Sequence, residues 1–167
     1  GNVIVNGSDS TGVLADKGGN VIIKNDVKVV ESNRGQYSSS VSGVETSNDG
    51  KVTVKGNIEV NGVASMGINS TQGQVTVNGN VKASGGQSAD GEETVGISAK
   101  GSGVSVKGNV TSDGKGIHVL KSDTGLHSQV NVNGNVTGRS GVVTNNGSDV
   151  TVGGEVTATH GTGLDIK

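Results

Sequence analysis

The sequence predicts an all-β fold: a single-stranded parallel β-helix (β-solenoid) with three short strands per turn, about seven turns and a right-handed coil. Three observations predict it. Glycine supplies 31 of the 167 residues, and proline, cysteine, tryptophan and phenylalanine are absent. The apolar residues are mostly Val and Ile, and they alternate with polar ones. One short motif, Val-x-Val-x-Gly-Asn-Val, returns along the chain, and self-similarity of this kind marks a repeat architecture.

The motif reads Val52-Thr53-Val54-Lys55-Gly56-Asn57-Ile58, and again Val75-Thr76-Val77-Asn78-Gly79-Asn80-Val81. It recurs as Val104-Ser105-Val106-Lys107-Gly108-Asn109-Val110 and Val130-Asn131-Val132-Asn133-Gly134-Asn135-Val136. Looser copies start at Val21 and Val150, and Val3-Ile4-Val5-Asn6-Gly7 reads as a degenerate first copy. Alternation sends the flanking apolar residues to one face and the middle residue to the other. Six copies keep a six-residue step from first Val to last apolar position (21→27, 52→58, 75→81, 104→110, 130→136, 150→156). A constant step means a constant corner. The corner Gly is expected at positive φ, where a side chain clashes. Asn25 replaces it once, and Asn tolerates that backbone best.

A second strand follows each corner, as in Val27-Lys28-Val29 and Ile58-Glu59-Val60. A third element is Gly plus an aliphatic residue: Gly12-Val13, Gly43-Val44, Gly67-Ile68, Gly96-Ile97, Gly116-Ile117, Gly141-Val142 and Gly163-Leu164. Successive first-strand valines lie 18, 31, 23, 29, 26 and 20 residues apart. Strands keep their length while connections vary, which costs stability only slowly. The variable period favours a right-handed coil, because the strict hexapeptide period of the left-handed type is missing.

One unit cannot stand alone. Each buried Val or Ile contributes roughly 1.5–3 kcal/mol, too little to order twenty-odd residues. Stacking turns at about 4.8 Å places Val on Val inside and sets Asn57, Asn80, Asn109 and Asn135 in register, with side chains hydrogen-bonding along the stack. An antiparallel sandwich is the competing fold, but its neighbouring strands differ in environment and do not ask for one motif at equivalent places. The chain reads as one domain over residues 1–167, a fragment of a longer repeat protein whose open coil ends call for flanking domains or end-to-end self-association.

At these repeats the chain resembles the right-handed parallel β-helix regions of bacterial surface proteins, including adhesins and autotransporter passenger domains. The resemblance covers nearly the whole chain. It implies a secreted or cell-surface bacterial protein, serving as an extended stalk or as a carrier of adhesive loops for a host or cell-surface glycan or protein. Some β-helices are polysaccharide lyases or hydrolases, so architecture alone does not assign the role.

Outward residues of the first strand are Ile4, Ile22, Thr53, Thr76, Ser105, Asn131 and Thr151. Those of the second are Lys28, Glu59, Lys82, Thr111, Thr137 and Thr157, the first three alternating in sign. A regular Thr array would suit an ice-binding solenoid, but only three of the seven first-strand positions are Thr. Connections between second and third strands are long in two turns, 31–42 and 84–95, and short in the turn between. Two loops then rise on one side with a notch between them. They carry the candidate binding residues Arg34, Tyr37, Asp90, Glu92 and Glu93, because function gathers on loops held by a rigid scaffold. A smaller insertion, 121–129, sits on another corner.

Chemistry is thin. Net charge is −2, basic residues are scattered and one aromatic residue is present, which argues against nucleic acid. No run of 18 apolar residues spans a membrane. A glycosidase needs two carboxylates flanking the scissile bond, yet Glu92 and Glu93 are adjacent and point apart, and Glu59 and Asp113 lack evident partners. Only Arg34 and Arg139 are available to a lyase. His118, expected to face solvent, His127 and His160 are too scattered for a metal site. No metal or cofactor is expected. The reading is a non-enzymatic structural or adhesive segment, with a carbohydrate-active β-helix enzyme as the first alternative and an ice-binding solenoid as the second.

Overall fold

The computed structural model describes residues 1–31, 41–145 and 148–167. Three parallel sheets run the length of the molecule. The second-strand sheet stacks β1 (Val3–Asn6), β4 (Val27–Val30), β7 (Ile58–Asn61), β10 (Val81–Ser84), β13 (Val110–Ser112), β16 (Val136–Gly138) and β19 (Val156–Ala158). The third-strand sheet stacks β2 (Thr11–Ala15), β5 (Ser42–Thr46), β8 (Met66–Thr71), β11 (Val95–Lys100), β14 (Lys115–Leu120), β17 (Ser140–Thr144) and β20 (Leu164–Ile166). The first-strand sheet stacks β3 (Asn20–Ile23), β6 (Lys51–Val54), β9 (Gln74–Val77), β12 (Gly103–Val106), β15 (Gln129–Val132) and β18 (Asp149–Val152). Each turn visits the sheets in rotation, giving a parallel β-helix of the right-handed type with about seven turns.

The expected stacking holds residue by residue. Val52 pairs with Val75, Val75 with Val104, and Val104 with Val130. Val27, Ile58, Val81, Val110 and Val136 form a second column, and Val44, Ile68, Ile97, Ile117 and Val142 a third. These side chains are almost fully buried and share one core. Each column repeats one shape, so a residue removed from the middle leaves a void bordered by its own copies. A further column shrinks along the chain. It runs Val5, Val29, Val60, Ala83 and Ser112, while the buried third-strand column Ser70, Ala99 and Val119 grows in the same direction.

One strand sits in a different sheet from the one expected. Val3-Ile4-Val5 is a second strand, with Val3 opposite Val27 and Ile4 opposite Lys28. The alternation Val-x-Val is common to both strand types and does not tell them apart. The corner does: Gly1-Asn2-Val3 repeats Gly56-Asn57-Ile58, and Asn2 Oδ1 accepts the backbone N–H of Asp26 at 3.1 Å.

The corner column also differs in mechanism. Asn side chains bond to the next backbone rather than to each other. Asn57 Oδ1 accepts from the N–H of Asn80, Asn80 Oδ1 from Asn109, and Asn109 Oδ1 from Asn135, each at 2.8 Å. Asp26 serves Asn57 in the same way at 2.7 Å, and Asn135 serves Glu155 at 2.9 Å.

Nor are the corner glycines left-handed: Gly56, Gly79, Gly108 and Gly134 lie outside the positive-φ set, as does Asn25. They are required by proximity. A Cβ on Gly79 would stand 2.4 Å from Asn57 Oδ1 and 2.6 Å from the Gly56 carbonyl oxygen. Left-handed backbone falls instead at the other two corners: between third and first strands at Asn48 (φ 46°), Gln72 (φ 51°) and Gly101 (φ 61°), and between second and third at Ala64 (φ 51°) and Gly86 (φ 82°).

The glycines of the third strand do a related job. A Cβ on Gly67 would meet Val81 Cγ1 at 2.5 Å and the Gly96 carbonyl oxygen at 2.6 Å. Gly43, Gly96, Gly116 and Gly141 would collide in the same way with the second-strand aliphatic of the following turn. The missing side chain is the space that the following turn's Val or Ile fills. Interior polar groups are matched too: Thr46 and Ser70 hydroxyls lie 2.6 Å apart, and Ser102 N–H donates to Ser128 Oγ at 3.1 Å.

Outward, Lys28, Glu59 and Lys82 fall in register as expected. They lie one above another without forming an ion pair among the described residues.

Candidate functional site

The long connection 84–95 is built, not slack. Gly85 takes φ 129° where a Cβ would strike Gly62, and Asp113 Oδ2 accepts the Gly85 N–H at 2.9 Å, which gives Asp113 a structural partner. Ser88 is buried and organises the tip. Its N–H donates to the Glu92 carbonyl at 2.9 Å, its hydroxyl accepts the Glu92 N–H at 2.9 Å, and it also donates to Asp90 Oδ1. Thr94 Oγ1 closes the loop onto the Gly86 carbonyl at 2.8 Å. Asp90 and Glu92 are therefore fixed at the lip of the third-strand face.

The connection 32–40, the other side of the expected notch, lies outside the described residues; on the 84–95 side there is a recess. A cavity of about 340 Å³ opens beside the short third turn, lined by Glu45, Asn69, Asp90 and Glu92 together with Ser42 and Met66. Glu45 and Asn69 stack in register on β5 and β8. Sequence reasoning missed both, although each follows the Gly-aliphatic pair directly and so points outward from the third strand.

Glu93 leaves this group. It forms an ion pair with Lys115 Nζ, and both side chains are only about one-quarter exposed. The pair crosses one turn of the coil and ties the loop to β14. Arg34 and Tyr37, the other two candidates, lie outside the described residues.

His118 points outward but is half-buried, against the expectation of a solvent-facing ring. Burial pushes its pKa below the ordinary histidine value, the nearby Lys115 ammonium adds to this, and Glu93 opposes it. Among the described residues no three His, Asp or Glu side chains converge as a metal would need. Among the described residues no helix is long and apolar enough to cross a membrane.

The arrangement can do one thing plainly: it presents three carboxylates around a small recess on a stiff wall, a negative site for a cationic or polyhydroxy group. No family model, curated protein or solved structure matches the chain.

Proposed function

We propose that the chain is a non-enzymatic structural or adhesive segment of a secreted bacterial cell-surface protein. The observation that carries the reading is the unbroken corner column from Asn2 to Glu155, with its registered valine columns. Seven turns at about 4.8 Å make a stiff rod about 34 Å long. A stiff rod that carries the ordered 84–95 connection on its side suits spacing and presentation of a contact loop. Immunolabelling of intact source cells tests the reading. Labelling without permeabilisation is the expected result, and labelling only after permeabilisation overturns it.

A carbohydrate-active reading has one observation in its favour. Glu45, Asp90 and Glu92 gather at one recess over neighbouring turns, the convergence that an acid–base pair requires. Release of reducing ends from a polysaccharide panel, abolished by Glu45→Gln or Glu92→Gln, would establish it in place of the adhesive reading.

A further inference from the structure

The first-strand face carries a feature unrelated to the loops. Its outermost register runs Asn20, Lys51, Gln74, Gly103, Gln129, Asp149. Five of the six positions hold a long or polar side chain and one holds none. Other glycines within strands are enforced by contact, since a Cβ on Gly12, Gly43, Gly67, Gly96, Gly116, Gly138 or Gly141 would meet an atom within 2.6 Å. Gly103 is different. Its Cβ would meet only Gln74 Cγ, at an ordinary 3.8 Å, and its backbone is not left-handed. Neither packing nor conformation asks for glycine here.

What the missing side chain does is open a furrow. Two recesses, of about 420 and 260 Å³, share Gln74, Gly103 and Gln129 and so join end to end along β12. Gly103 and Ser105 form the floor. Gln74 and Thr76 on β9 make one wall, and Gln129 and Asn131 on β15 the other. The walls stand two strand spacings apart, about 9.6 Å. At one end the connection 121–128 is pinned across the earlier turns by Lys100–Asp123 (2.6 Å) and by Gln72 Nε2 donating to Thr124 Oγ1 (3.0 Å). This places Leu126, more than half exposed, at the furrow's mouth.

We infer that this furrow is a binding site for a neutral glycan chain, which deepens the adhesive half of the proposed function and rests on it. Along β12 the wall and floor side chains Gln74, Thr76, Ser105, Gln129 and Asn131 are amides and hydroxyls without charge, and Asp49, Lys51 and His127 line only the larger recess beyond them. None of them hydrogen-bonds to another described residue through its side chain. A carboxamide offers a donor and an acceptor side by side, the pairing that neighbouring sugar hydroxyls present in return. Leu126 supplies an apolar surface for a ring face. The strand backbones beneath are already paired on both sides, so a peptide cannot add here as an extra strand and would gain only side-chain contacts.

The test is an amide NMR titration of the isotope-labelled chain with short neutral oligosaccharides: glucans, mannans, xylans and galactans. At least one is expected to shift the resonances of Gln74, Gly103 and Gln129. Gly103→Gln restores the column, fills the floor and should reduce affinity at least tenfold while the melting temperature stays level or rises. Gln74→Ala with Gln129→Ala should weaken binding with the floor left open. The inference is overturned if no sugar shifts these resonances, if Gly103→Gln binds like the parent, if shifts map to Asp90 and Glu92 instead, or if acidic sugars or short peptides shift them more strongly. Because binding is read on the isolated chain, its failure is separable from failure of the surface-labelling experiment.

Discussion

Asn80 Oδ1 accepts the backbone N–H of Asn109 at 2.8 Å, and Asn109 Oδ1 accepts that of Asn135 at the same distance. Each rung joins a side chain to the next turn's main chain, so what the position demands is an acceptor oxygen on a short stem. Asp26 meets that demand naturally. Asn80→Ala is expected to cost about 1 kcal/mol, the net worth of one hydrogen bond at an exposed corner. Asn80→Asp should stay near the parent at neutral pH. Urea unfolding followed by circular dichroism distinguishes the two.

Glycines of the same chain are predicted to respond in opposite directions. Gly67→Ala drives a methyl into Val81 Cγ1 and the Gly96 carbonyl, and overpacking of this kind costs about 1–3 kcal/mol or more. Gly103→Ala meets nothing closer than 3.8 Å and should stabilise by about 0.5–1 kcal/mol through the loss of unfolded-state freedom. Thermal melts of the two variants, measured side by side, check the sign.

Glu31 is buried, and its Oε2 accepts the Val63 N–H at 2.8 Å. Glu31→Ala leaves that donor without this acceptor and should cost about 1–3 kcal/mol. Glu31→Gln keeps an acceptor oxygen and should recover most of the loss. Equal destabilisation by both variants in denaturant melts would contradict this role.

His118 makes stability depend on pH in a definite sense. Its folded-state pKa lies below the ordinary 6.5, first through burial and then through Lys115. As pH falls, the unfolded chain takes up the proton first. The stabilising contribution is present above the unfolded value and is lost as pH drops through it toward the lower folded value. His118→Asn should flatten the difference in urea midpoint between pH 7.5 and pH 5.5. An NMR titration placing His118 at or above 6.5 would remove the basis for this.

The coil was legible because its information is local. Alternation of Val52, Thr53 and Val54 with a fixed six-residue step sets the face and the corner without knowledge of distant contacts. Val3-Ile4-Val5 was misplaced because the same alternation serves two sheets, and only the Gly1-Asn2-Val3 corner separates them. The corner glycines were explained by the wrong cause: a close approach from the neighbouring turn leaves no mark in single-residue preferences, whereas positive φ does. Asp90 and Glu92 line a recess beside the 84–95 connection, while the other loop of the expected notch falls outside the described residues. Glu93 departed because its partner, Lys115, lies on the next turn, a pairing that spacing does not reveal. The furrow over Gly103 was hidden by abundance, since one dispensable glycine looks like every other until neighbouring atoms are measured.

The second-strand column thins from Val60 through Ala83 to Ser112 while the third-strand column thickens from Ser70 through Ala99 to Val119. The two walls exchange bulk, so none of these turns is singled out as weak. Nearest-neighbour energetics govern a coil of this kind, and under tension the molecule unspools turn by turn, acting as a shock absorber of even resistance. A force–extension trace showing a single abrupt rupture would contradict that behaviour.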